Sequence, residues 1–128
     1  MGNSKLKILI VEDDKDLCDL LHDIIRDEGF IVHKAYDGDI ALSGMVRFRY
    51  DLMIVDNKLN TMSGISVIEQ SMVINPRLKT IMLSAYGNTR TKLRARDLGV
   101  YDFIDKPFDV NFLIRRVREL AELPNNNS

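Results

Sequence analysis

Five short apolar runs alternate with longer segments of helical periodicity along this chain, and that alternation leaves few folds open. Lys7–Glu12, Phe30–Ala35, Leu52–Asp56, Thr80–Ser84 and Tyr101–Asp105 have the apolar, β-branched density of buried strands. After the first run, Leu17, Leu20, Leu21, Ile24 and Ile25 recur at the spacing of one buried helical stripe, and Gly29 stops it. Asp37 can cap a second helix reaching about Arg49, and a third runs from Gly64 to Ile74, closed ahead of Pro76. A fourth spans about Asn88 to Leu98 and ends at Gly99. The last starts at Asp109 with Val110, Leu113, Ile114, Val117, Leu120 and Ala121 on one face. Five βα units in series predict an α/β fold, with a parallel sheet covered by helices on both faces.

The chain has 128 residues, enough for one domain core. Its net charge of -1 gives no reason to expect direct binding to nucleic acid or to an anionic membrane. Cys18 is the single cysteine, so no internal disulfide is possible, which fits a reducing compartment. No apolar run approaches the roughly 20 residues that span a bilayer, and the first residues carry no signal-peptide pattern. The expectation is a cytoplasmic single domain over 5–123. The polar 124–128 would be a tail or the start of a linker.

The residues at the strand ends carry the chemistry. In a doubly wound sheet the carboxyl ends of the strands share one edge, where ligands bind. Here the first strand runs into Glu12, Asp13 and Asp14, the third ends in Asp56, the fourth in Ser84, and the fifth leads to Lys106 and Pro107. Clustered acids at the end of a buried strand require a compensating positive charge. An all-oxygen, highly charged ligand set selects a hard cation, with Mg²⁺ favoured. A cation, an ammonium and a hydroxyl around a carboxylate are the equipment for accepting a phosphoryl group.

Four separated motifs, "VEDD", "IVDNKLNTMSG", "IMLSAYG" and "DFIDKPF", make the chain resemble the receiver domain of two-component response regulators, of the chemotaxis-regulator-like single-domain kind. That resemblance covers nearly all of 5–123 and implies a flavodoxin-like sheet of order 2-1-3-4-5 with five helices. It implies a phosphorylation-controlled switch that receives its phosphoryl group on Asp56 from a histidine kinase or histidine phosphotransfer protein. It also implies Mg²⁺ held by Glu12 (through water), Asp13, Asp56 and the backbone carbonyl of Lys58. Ser84 and Lys106 would contact the phosphoryl group, and Ser84 and Phe103 would be the switch pair. The output surface would be helix 4, strand 5 and helix 5, with the partner unidentified. Asp14 matches no such role and reads as a helix cap. The chain departs from the family pattern at Leu59-Asn60, Ser84, Phe103 and Val100-Tyr101, none of which removes a group the chemistry needs.

Two other readings come from different classes, the first sharing the Mg²⁺ and Asp chemistry and the second the strand pattern. An aspartyl-phosphate hydrolase dependent on Mg²⁺ needs a second acid two residues after the nucleophile, where this chain has Lys58. A flavin carrier needs a Ser/Thr/Gly-rich phosphate loop after the first strand, where this chain has acids. A receiver at the N-terminus of a longer DNA-binding regulator would share the mechanism.

Elsewhere the readings are structural. His22 is expected to be solvated, His33 structural, Cys18 near the surface and unreactive, and Met45, Met53, Met62, Met72 and Met82 core or loop filling. Arg90, Lys92, Arg94, Arg96, Arg115, Arg116 and Arg118 form a basic cluster, read as a solvated face with an acidic partner as the alternative. Helix 4 has a poor apolar stripe and is expected to be loosely held. The Lys106–Pro107 bond is expected to be cis.

Overall fold

A run of apolar residues with no alternation must be covered on both sides, and the central strand meets that condition fully. In the computed structural model, which describes residues 6–123, every residue of β3 (Leu52–Asp56) is buried. It is flanked by β1 (Lys7–Val11) and β4 (Lys79–Ala85), with β2 (Ile31–Ala35) and β5 (Asp102–Lys106) at the edges. All pairings are parallel and the order is β2-β1-β3-β4-β5. The helices are α1 (Lys15–Asp27), α2 (Gly38–Arg47), α3 (Gly64–Ile74), α4 (Thr89–Asp97) and α5 (Val110–Glu122).

Alternation along the strands divides the core in two. Leu9, Val11, Met53, Val55 and Met82 point to one side and pack with Ala41, Met45, Ile65, Ile68 and Ala95 of α2, α3 and α4. Ile8, Ile10, Ile54, Ile81 and Leu83 point to the other and pack with Cys18, Leu21, Leu113 and Val117 of α1 and α5. Each helix begins on a side chain that accepts a hydrogen bond from its first turn: Asp14, Asp37, Ser63, Asn88 and Asp109 in order. Gly29 and Gly99 follow the ends of α1 and α4 with positive φ, the left-handed exit that glycine allows.

Several expectations for α1 and its surroundings need correction. Leu20 is 49% exposed rather than part of the buried stripe, and Cys18, expected near the surface, is fully buried. The stripe that faces the sheet is Cys18, Leu21 and Ile25, rotated from the one drawn through the leucines. His22 is partly covered and hydrogen-bonded to the Asp23 carboxylate at 2.9 Å, not simply solvated. His33 is structural as expected: its Nδ1 meets the Tyr50 hydroxyl at 2.6 Å. Met45, Met53 and Met82 are core, while Met62 and Met72 pack partly buried against it.

On α4 only Ala95 is buried, so little apolar contact holds that helix. Ion pairs contribute instead, Lys92 to Asp105 of β5 and Arg94 to Glu69 of α3. Arg116 pairs with Asp102 and Glu119, and Arg118 with Glu28, so four of the seven basic residues of the cluster are answered within the described residues, while Arg90, Arg96 and Arg115 have no ion-pair partner there. The polar 124–128 lie outside the described residues. Among the described residues no helix is long and apolar enough to cross a membrane.

Burial and neighbouring acids push the Cys18 thiol up to about 12. Cys18 in the native protein is therefore expected to resist a water-soluble disulfide reagent at pH 8 and to react fully once denaturant is added. Rapid native labelling would contradict its packing against the sheet.

Candidate functional site

The carboxyl edge of the sheet gathers the polar strand ends into one cleft. Glu12, one residue past β1, keeps its backbone in the ladder through an N–H donated to the Ala35 carbonyl at 3.0 Å. Its side chain is 1% exposed, and Asp56 at the end of β3 is 6% exposed. One oxygen from each of Glu12, Asp13 and Asp56 lies within 4.8 Å of the others. Lys106 reaches in from the end of β5, its Nζ donating to Glu12 Oε1 at 3.0 Å and lying 3.1 Å from Asp56 Oδ2. The following Lys106–Pro107 peptide bond is cis. With all three ionised, the carboxylates outnumber the one ammonium by two negative charges, which fits a divalent cation bound through oxygen.

Burial decides the electrostatics of Glu12. Loss of water raises its carboxyl from 4.5 to about 7, and the nearby Asp56 adds to the rise. The Asp14 N–H and Lys106, both bonded to it, pull the other way and lose. Burial pulls Lys106 down, but its bonds to Glu12 and the charges of Asp56 and Glu12 prevail and raise it.

Other expected site residues are near but differently disposed. Ser84 is fully buried, and its Oγ has no hydrogen-bond partner among the described residues. It lies one residue beyond Leu83, the register partner of Asp56, and opposite Asp105. Lys58 and Tyr86 line the open cleft with Glu12, Asp13, Asp56 and Lys106. Phe103 is half-buried on β5, level with Met82, and packs against the core on the α4 side.

Gly64 also positions the site, a role beyond that of starting the third helix. A Cβ on Gly64 would stand 2.4 Å from the Asp56 carbonyl oxygen and 2.7 Å from the Asn57 Cα. Its N–H donates to the Asn57 carbonyl at 2.7 Å, and Asn57 N–H donates to Leu83 O at 2.8 Å. The loop after Asp56 is thus pinned at both ends against backbone. The signal was the glycine of "TMSG", which reads only as the start of a helix until the loop is seen to close on it.

With the geometry in place, comparison with known proteins fixes the class. The family model described as the response regulator receiver domain matches residues 8–118, and the chain belongs to that family. Sporulation initiation phosphotransferase F of Bacillus subtilis is 31% identical over 120 residues, covering 94% of this chain and 97% of that protein. The transcriptional regulatory protein DltR of Streptococcus agalactiae is 34% identical over 113 residues, covering 88% of this chain. The chain spans 50% of the length of that regulator. Among solved structures, response regulator protein TrrA of Thermotoga maritima in complex with Mg(2+)-BeF superposes with a TM-score of 0.80 at 28% identity, covering 90% of this chain and 98% of that one. The chain is therefore a receiver domain of two-component response regulators, a phosphoacceptor switch with the sheet order observed here.

Two outcomes test the site. A group whose pKa rises on folding stabilises below its unfolded value, and that contribution is lost as pH climbs through the folded value. Metal-free wild type should therefore lose stability relative to Glu12→Gln between about pH 4.5 and 7, with a slope approaching ~1.4 kcal/mol per pH unit. Urea unfolding across that range reads it, and parallel curves would contradict a buried, raised Glu12. Gly64→Ala should cost roughly 1–3 kcal/mol as an overpacked backbone contact and shift the amide resonances of Asp56 and Asn57. Unchanged stability and spectra would mean that the loop is not pinned there.

Proposed function

We propose that Asp56 is the phosphoacceptor of this receiver domain, supplied by a histidine kinase or histidine phosphotransfer protein. The observation that carries the proposal is the buried Asp56 carboxylate, ion-paired to Lys106 and clustered with Glu12 and Asp13 at the carboxyl edge of the central strand. An Asp56 oxygen forms the new bond to phosphorus as the phosphorus–nitrogen bond of a phosphohistidine breaks. The imidazole nitrogen keeps the electron pair and takes a proton from solvent. Lys106 neutralises an oxygen of the incoming group, and the unpartnered Ser84 hydroxyl supplies a donor to another.

Asp13, Asp56, the Lys58 carbonyl and, through water, Glu12 would hold Mg²⁺. Their hard, all-oxygen character and the two unbalanced negative charges support that choice. When bound, the ion supplies charge neutralisation to the phosphoryl oxygens.

The signal follows from Ser84. Drawn toward a phosphorylated Asp56, it leaves space behind it for the half-buried Phe103, and the α4–β5–α5 face repacks for an output protein. Phosphorylation shifts this equilibrium only by its differential interaction with the two states. Because a phenylalanine has no hydroxyl to satisfy, its inward state costs little even without the phosphoryl group. The receiver unit is proposed to run over 5–123 and to act in the cytoplasm, without direct contact to nucleic acid or membrane.

With Mg²⁺ and a small-molecule phosphodonor, wild type should gain one phosphoryl mass and Asp56→Ala none, and Asp13→Ala should bind Mg²⁺ far more weakly. Labelling of Asp56→Ala at the wild-type rate would refute the acceptor. The phosphoryl group should also be long-lived, because Lys58 and Tyr86 line the approach to the cleft and obstruct an attacking water. Lys58→Asn with Tyr86→Glu should shorten its lifetime several-fold; a shorter lifetime in wild type than in that variant would contradict the obstruction.

A further inference from the structure

At the end of the sheet opposite the cleft, the chain ends of α2 and α3 border a second surface whose composition differs sharply from the rest. Val46, Arg47, Phe48, Arg49, Ile74 and Arg77 line one open depression there, and no acidic residue lines it. The chain as a whole carries 18 basic and 19 acidic residues, so this segregation is local. Among the described residues none of the three guanidinium groups has a carboxylate within ion-pair distance, whereas Arg94, Arg116 and Arg118 each have one; Arg90, Arg96 and Arg115 are also without one, but they do not line an acid-free apolar depression with one another. Arg47 instead lies over the Phe48 ring, 5.7 Å from its centre.

The apolar members are exposed, and the aromatic one is held by its neighbours. Val46 is 74%, Ile74 43% and Phe48 41% exposed. The Phe48 ring stands edge-on to His33 at 5.1 Å between centroids, and His33 is itself bonded to Tyr50, so the ring is held in place before any partner arrives. Rigid aromatic and arginine side chains around an apolar centre are the composition of interface hot spots. Arg47 in the last turn of α2 also offsets that helix's carbonyl end. Arg49 and Arg77 lie beyond the helix ends and are not needed for that.

We propose that this surface docks an acidic, apolar-bearing segment of a partner protein, independently of phosphorylation. Carboxylates suit the three free guanidinium forks, which bind them bidentately, and leucine- or phenylalanine-like side chains suit Val46, Phe48 and Ile74. A nucleic acid or an anionic membrane fits less well. Both require a denser array of cations than three arginines on a chain of net charge -1, and neither uses the exposed valine and isoleucine. The surface borders the loops that enter β3 and β4, whereas the phosphoryl cleft lies where those strands end. Attachment there leaves the cleft and the α4–β5–α5 face free.

The test selects random displayed peptides on wild type and counter-selects them on Arg47→Ser/Arg77→Ser. Enriched peptides should combine Asp or Glu with Leu, Ile or Phe, and should shift wild-type amide resonances within 45–49 and 73–77. Their affinity should fall by roughly ten-fold or more in Arg47→Ser/Arg77→Ser and in Phe48→Ser, whose remaining spectra report an intact fold. Their affinity should be unchanged by Mg²⁺ with beryllofluoride. The proposal is overturned if no patch-dependent peptide emerges, if those that emerge lack acids, or if binding follows the beryllofluoride state. It is also overturned if single-stranded oligothymidylate or phosphatidylserine vesicles perturb these resonances and the selected peptides do not.

Discussion

The ammonium of Lys106 between the buried carboxylates of Glu12 and Asp56 is the contact on which the rest of this molecule depends. It joins the ends of β1, β3 and β5, residues far apart in sequence, at the one edge where a parallel sheet leaves its strand ends open. Neither carboxylate could be buried at that edge without a partner. One ammonium is nevertheless too little for three acids, and the raised Glu12 records that deficit: desolvation outweighs both the ion pair and the Asp14 N–H. The site is built with a negative charge imbalance that suits a divalent cation.

That imbalance is held in place by a rigid support. β3 is buried along its whole length, and the loop after Asp56 closes on Gly64 with no room for a Cβ. The α4 side of the cleft is different. With only Ala95 buried, α4 relies on the Lys92–Asp105 and Arg94–Glu69 pairs, and such pairs respond to a change of charge more readily than packed apolar surface does. Rigid and loosely attached elements therefore meet at Ser84, whose buried hydroxyl has no partner among the described residues.

The two edges of the sheet do different work. The carboxyl edge concentrates acids around one cation, while the opposite edge concentrates unpaired arginines around exposed apolar side chains. Separation by the full length of the strands would leave the proposed docking surface and the proposed phosphoryl cleft free to act independently.

Much of this was legible in the residues alone, and the reason is that local rules governed it. The ends of β1, β3, β4 and β5 were marked by the change from apolar to polar, the starts of α1 and α2 by the capping side chains Asp14 and Asp37, and the meeting of Glu12, Asp13, Asp56 and Lys106 followed from parallel topology. Three things were decided only by tertiary packing. The face that α1 turns to the sheet is set by its docking angle, so Cys18 is buried and Leu20 is exposed although both fit a helical period. Lys92, Arg94, Arg116 and Arg118 of α4 and α5 found carboxylates on other elements, and no local spacing encodes such pairs. Gly64 became indispensable only when a loop returned to within 2.4 Å of where its Cβ would be. Sequence periodicity specifies which residues share a face, whereas which face meets which neighbour is a property of the assembled sheet.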